Sequence, residues 1–118
     1  MKVLALALVT LLAAACDALS AADNPKVFAC KVAAEKLSGA PSTIKYVNVI
    51  DHSKATFIEF DAANMFGVPM RHTIECTYVS EIVNSMSAIM LDGRNVPRDT
   101  VQILNGLVAA REFDEKRS

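Results

Sequence analysis

From residue 24 onward the chain switches between two hydrophobic periods. Between Pro25 and Gly39, the residues Val27, Cys30, Ala34 and Leu37 recur at i, i+3, i+7 and i+10, one face of a helix. Lys26, Lys31, Glu35 and Lys36 lie largely off that face. Asp23 or Asn24 can cap this helix, Pro25 suits its first position and Gly39 its stop. A turn at Pro41-Ser42-Thr43 follows. Residues 44–50 are rich in β-branched side chains and predict a strand. Residues 55–60, after a turn at Asp51-His52-Ser53, predict a second one with Ile58 and Phe60 on one side. Residues 71–79 alternate: His72, Ile74, Cys76 and Tyr78 form the apolar face, Arg71, Thr73, Glu75 and Thr77 the other. Residues 80–87 fit neither period. Residues 88–91 predict a short strand closed by an Asp92-Gly93 turn. Asp99 is placed to cap a last helix whose stripe is Val101, Leu104 and Val108, widened by Ile103 and Leu107. Asn105-Gly106 weakens the middle of that helix by about 1 kcal/mol relative to Ala, and the charged end, residues 112–118, is expected to fray.

This order predicts an α+β fold: a three- to four-stranded antiparallel sheet with an N-terminal and a C-terminal helix packed on one face. Residues 25–113 form one domain and residues 114–118 a polar tail. The uncovered face of the sheet, carrying Thr, Glu and Arg, meets water or a partner.

Ahead of the domain, Met1 and Lys2 precede the uncharged apolar run 3–15. Its length suits the core of a signal peptide and falls short of the about 20 apolar residues of a membrane span. Two cuts are open. Ser20 and Ala22 satisfy a general signal peptidase, making residues 1–22 the leader. Leu12-Ala13-Ala14-Ala15-Cys16 resembles a bacterial lipobox, with Ala13 where Leu is usual. The lipid reading is favoured, because the apolar run reaches Cys16 and stops at Asp17. It makes residues 1–15 the leader, Cys16 the lipid attachment site and residues 16–24 a tether. A diacylglyceryl group plus an N-acyl chain anchors a protein firmly, whereas one chain does not. Either cut predicts an exported protein, in the periplasm or held at the cell membrane as a lipoprotein.

The chain contains three cysteines. Either cut takes Cys16 out of the thiol pool and leaves Cys30 and Cys76 in an oxidising compartment. Each faces the apolar side of its own element, so a helix laid across the sheet predicts a Cys30–Cys76 disulfide.

Charge and motifs narrow the chemistry. The formal net charge is −1, with no basic stripe, so no nucleic-acid partner is expected. No CxxC, HxxH or HxxxH spacing points to a metal, and no GxSxG or phosphate loop to a known catalytic or cofactor site. No cofactor and no catalytic residue is assigned. His52 reads as a solvated turn residue, and His72 as an imidazole at the core edge bonded to backbone. Glu59 and Asp61 share a strand face at i and i+2, a spacing two catalytic carboxylates could use, but such pairs are ordinary solvated edges.

The stretches PSTIKY and ATFIEFDAANMFGVPMRHTIECTY resemble a recurrent small domain of bacterial exported and membrane-anchored proteins. The resemblance covers residues 30–79, about half of the mature chain. It rests on Pro41, Ser42, Asp61, Asn64, Phe66, Gly67, Arg71 and Cys76. It implies export and fold, and no activity.

One segment carries surplus hydrophobicity. Residues 61–69 read as a surface connection, yet Met65, Phe66, Val68 and the following Met70 are apolar. The preferred reading folds Phe66 over the core as a plug, with Asn64 bonding backbone and Gly67 supplying an unusual φ. The other reading is a partner-contact loop of Asp61, Asn64, Phe66 and Arg71, with Asp61 and Arg71 as the rim. The functional expectation is a non-catalytic binding or structural module of the cell envelope. It would contact the membrane through a lipid anchor at Cys16 and have an envelope protein as partner. The alternative is a small periplasmic enzyme, or an inhibitor of one, acting through residues 61–71.

Overall fold

The capping signals at the first helix act as their chemistry dictates. In a computed structural model of the chain, which describes residues 24–81 and 83–117, α1 spans Pro25–Ser38. Cys16, the leader and the tether lie outside the described residues. The Asn24 side chain accepts from the Val27 N–H, Pro25 occupies the first turn, and Gly39 ends the helix in the left-handed region at φ 77°. A single 3₁₀ turn, Pro41–Thr43, leads into β1 (Lys45–Asp51), β2 (Ala55–Ala63), β3 (Pro69–Tyr78), β4 (Met86–Leu91), β5 (Arg94–Asn95) and α2 (Arg98–Arg117). The strands form one antiparallel sheet in sequence order.

The fold is therefore α+β with both helices on one face, as expected, and five strands rather than three or four. The fifth arises at Asp92-Gly93. Both residues have positive φ, 51° and 80°, which suits a two-residue hairpin turn whose twist matches its strands. Leu91 is thereby set opposite Arg94.

Ile58, Phe60 and Ala62 of β2, Ile74, Cys76 and Tyr78 of β3, and Ile89 of β4 share the covered face and are buried. Against them pack Val27, Cys30, Val32, Ala33 and Ala34 of α1 and Val101, Leu104 and Val108 of α2. The alanines let α1 lie close on the sheet. Cys30 and Cys76 are joined there, with Cα atoms 5.8 Å apart.

The last helix departs from expectation in two ways. The Val101 N–H donates to the Pro97 carbonyl, so the helix starts after Pro97 and Asp99 lies inside its first turn instead of capping it. Ile103 does not widen the buried stripe; it is 65% exposed. The helix runs into the charged end as far as Arg117. Asn105, an unfavourable residue mid-helix, earns its place through tertiary contact. Its carboxamide both donates to the Met86 carbonyl and accepts from the Met86 N–H, fastening α2 to β4.

At the α1 N-terminal end a polar knot crosses the layers. The Tyr78 hydroxyl lies 2.5 Å from the Lys26 carbonyl and 2.7 Å from the Thr56 hydroxyl, which in turn lies 3.2 Å from an Asp51 carboxylate oxygen. Burial is the main cause that pushes the Tyr78 phenol up to about 12, partly opposed by the Thr56 hydrogen bond and aided by the Asp51 charge. The sign of the linkage follows. A phenol whose folded pKa lies above its unfolded value of about 10 stabilises the fold below pH 10 and loses that contribution as pH rises toward 12. Urea midpoints of the wild type are expected to fall between pH 10 and 12, and those of Tyr78→Phe to fall less over the same range. Parallel decline of the two would contradict this account.

Candidate functional site

The hairpin of β2 and β3 is longer than the hydrophobic pattern suggests. Its ladder runs from Ala55 opposite Thr77 to Ala63 opposite Pro69. Asp61, Ala62 and Ala63 are thus strand residues, and the connection shrinks to residues 64–68. Thr43 steadies this end of β2: its hydroxyl accepts from the Ala63 N–H at 2.9 Å and donates to the Ala40 carbonyl at 2.7 Å. Thr43 was not singled out by sequence, whereas its neighbours Pro41 and Ser42, which were, are simply exposed turn residues.

Asn64 organises the connection. Its side-chain oxygen accepts from the N–H groups of Phe66 (2.9 Å) and Val68 (3.0 Å). Its own N–H donates to the Val68 carbonyl, and its carbonyl accepts from Gly67, which sits at φ 80°. The backbone polar groups consequently point into the turn, and the side chains of residues 65 and 66 point out of it. Met65 is 89% exposed and Phe66 82% exposed. Phe66 is therefore not a plug over the core. The last core-facing side chain of β2 is Ala62, and the turn lies beyond it. Val68 at the tip and Met70 at the start of the ladder are also exposed.

Below the tip, Asp61 and Arg71 face each other directly across the ladder on the uncovered face. Arg71 donates through Nε to Asp61 at 2.6 Å and through a terminal nitrogen at 3.4 Å, while its other terminal nitrogen lies 3.6 Å from Glu59. The hydrogen bond from Arg71, then the charges of Arg71, Lys45 and His72, hold the Asp61 carboxyl below its ordinary range. The same hydrogen bond and charge push the Arg71 guanidinium up. Glu59 and Asp61 thus share one guanidinium, and Asp61 stays ionised, which is contrary to what a general acid requires.

The two histidines separate. His52 lies exposed in the β1–β2 turn, its N–H donating to the Ala55 carbonyl. His72 is half-buried and stacks on Phe60 with ring centroids 5.4 Å apart. Its Nδ1 lies 2.7 Å from the Asp92 carboxylate, not on a backbone group as expected. Asp92 also accepts from the Thr73 N–H at 2.9 Å. Burial raises the Asp92 carboxyl, but the hydrogen bonds from His72 and Thr73 and the His72 charge outweigh it and leave the group lowered. The pair closes the β4–β5 turn onto β3. An open cleft lies beside it between Leu37, Leu91, Asp92, Val96, Pro97 and Thr100. Its polar lining is the Asp92 carboxylate already bonded twice, Arg94, Asn95 and the Thr100 hydroxyl, which contain no nucleophile–base pair. Among the described residues, no group of three or more His, Cys, Asp or Glu is placed to hold a metal ion.

Of the residues carried by the sequence reading, the structure gathers Asp61, Asn64, Phe66, Gly67 and Arg71 at one end of one hairpin. It sets Cys30 and Cys76 in the core, away from them. Comparison of the chain with protein-family models, with curated proteins and with solved structures finds no match.

Proposed function

We propose that this chain is a non-catalytic binding module of the bacterial cell envelope that docks on a protein partner through the tip of its β2–β3 hairpin. The observation that carries this reading is the fixed display of Met65 and Phe66. A connection free to choose would turn these side chains toward the core, since solvating them forfeits about 1.5–3 kcal/mol each. Asn64 instead ties the backbone down on both sides of them. A loop already held in one conformation loses little further entropy on docking. Methionine and aromatic side chains are enriched where interface cores form, and the Glu59–Arg71–Asp61 cluster supplies a charged rim. Arg71 is spent on two carboxylates and Asp61 is held ionised, so nothing favours an enzyme or inhibitor working through them.

Two features support the envelope setting: the apolar run 3–15 with its lipobox-like end at Cys16 reads as an export signal, and the Cys30–Cys76 bond suits an oxidising compartment. Acyl chains on Cys16 would tie the module to the membrane, and the binding role needs no cofactor.

Site-specific photo-crosslinking in cells tests the tip. A photoreactive side chain at position 66 is expected to trap a discrete protein, and one at exposed Glu81 to trap none. The additional change Met65→Ala should weaken the trapping at 66 without changing the melting temperature. Trapping of nothing at 66, or equal trapping at both positions, would defeat the proposal. Labelling with a palmitate analogue that marks the wild type and not Cys16→Ser would support the anchor.

A further inference from the structure

Sulfur is unevenly exposed in this fold. Among the described residues, Cys30 and Cys76 are joined to each other at zero exposure, so neither offers a thiol to an oxidant. Met86 is buried in the core. Met70 on β3 and Met90 on β4 are less than half exposed, at 46% and 38%. Met65, at the hairpin tip, is 89% exposed. The turn holds it there. The Asn64 side chain accepts from the Phe66 and Val68 N–H groups, and the Gly67 N–H donates to the Asn64 carbonyl. These bonds use backbone atoms and the Asn64 carboxamide, so none depends on the Met65 thioether.

We infer that Met65 is an oxidative modification site, at which a hydroperoxide switches off docking of the hairpin tip. The switch rests on the docking role proposed above. A lone pair of the Met65 sulfur attacks one oxygen of the hydroperoxide, and an S–O bond forms as the O–O bond breaks. The leaving oxyanion takes up the proton of the transferred oxygen. The sulfur is thereby oxidised to the sulfoxide, and the hydroperoxide is reduced to water or its alcohol. Access decides which sulfur reacts, so the order follows exposure: Met65 first, Met70 and Met90 later, and Met86 only on unfolding. The product places a polar side chain where an interface core needs an apolar one, and burying it unpaired costs its desolvation. The fold is spared, because Ala62 is the last core-facing residue of β2 and Met65 stands beyond it. Docking shields the thioether, so the oxidant acts on the free chain and prevents its binding.

Native protein treated with hydrogen peroxide and mapped by peptide mass spectrometry is expected to gain oxygen at Met65 at least about fivefold faster than at Met70 or Met90, with Met86 untouched. The singly oxidised protein should melt at the temperature of the untreated one. In cells carrying a photoreactive side chain at position 66, peroxide before illumination should lower trapping at least about tenfold. Trapping by Met65→Leu, whatever its own level, should not respond to peroxide, since leucine keeps the bulk and forms no sulfoxide. A chain with both Met70→Leu and Met90→Leu should still lose its trapping. Oxidation of Met70 or Met90 as fast as Met65, a lowered melting temperature of the singly oxidised protein, or loss of the response in the Met70→Leu, Met90→Leu chain would overturn the inference. Trapping that persists with Met65 fully oxidised would overturn it too, and would leave the docking role standing. Absence of trapping before any peroxide would instead fail the docking role, and the switch with it.

Discussion

Phe60→Ala is expected to cost about 3–5 kcal/mol of unfolding free energy, and Phe66→Ala, on the same hairpin, no more than about 0.5 kcal/mol. Phe60 is wholly buried and stacks on His72, with Ile58 and Ala62 beside it on the covered face and Ile74 nearby. Truncating it removes its transfer energy and leaves a cavity that a stapled sheet cannot collapse around. Phe66 touches mainly water, and its turn is held by the Asn64 backbone and side chain, which the substitution leaves in place. Urea titration of the two variants at pH 7 measures both. The reverse ranking would restore the plug and remove the basis for a binding tip.

Removing the Cys30–Cys76 bond by the double change Cys30→Ala and Cys76→Ala is expected to cost about 4 kcal/mol. The bond closes a loop of sequence separation 46, and chain-entropy closure sets that figure. Alanine is the better probe than serine here, since both positions have zero exposure and a hydroxyl would be left unpaired. Against a typical stability of about 5–15 kcal/mol the loss is a large fraction. The double variant should unfold at much lower urea with a steeper slope, since the unfolded chain freed of its crosslink exposes more surface, and reduction of the wild type should lower its midpoint comparably. A loss below about 1 kcal/mol would mean that packing of α1 on the sheet, not the crosslink, limits the unfolded chain.

The disulfide was legible because each cysteine lies on the apolar face of an element with a clean period, α1 at 3.6 and β3 at 2. The layer order then brings the two faces together. Phe66 was misread because hydrophobicity predicts burial only when the chain offers something to bury against. The β2–β3 ladder carries the turn past Ala62, beyond the last core position, and the length of that ladder is set by tertiary pairing. Ile103 was misread for a related reason. A broad apolar stripe does not say which of its edges faces the sheet, and on α2 the contact falls on the Leu104 side. The β4–β5 turn was read correctly from Asp92-Gly93. The pairing of Asp92 with His72 depends on β3 lying next to β4, which no local pattern states. Asn105 looked like a weak point in a helix because its partner, the backbone of Met86, is remote in sequence.

The crosslink also fixes how the molecule carries mechanical load. A pull applied between the chain ahead of α1 and the end of α2 enters at Asn24, crosses from Cys30 to Cys76 through sulfur, and leaves along β4 and α2. Residues 31–75 lie inside the covalent loop and outside that path. The loop contains β1, β2, most of β3 and the whole hairpin tip. Tension that peels α2 from β4 therefore leaves the display of Met65 and Phe66 slack and intact, and the contour length released by unfolding excludes the 31–75 segment for as long as the bond holds.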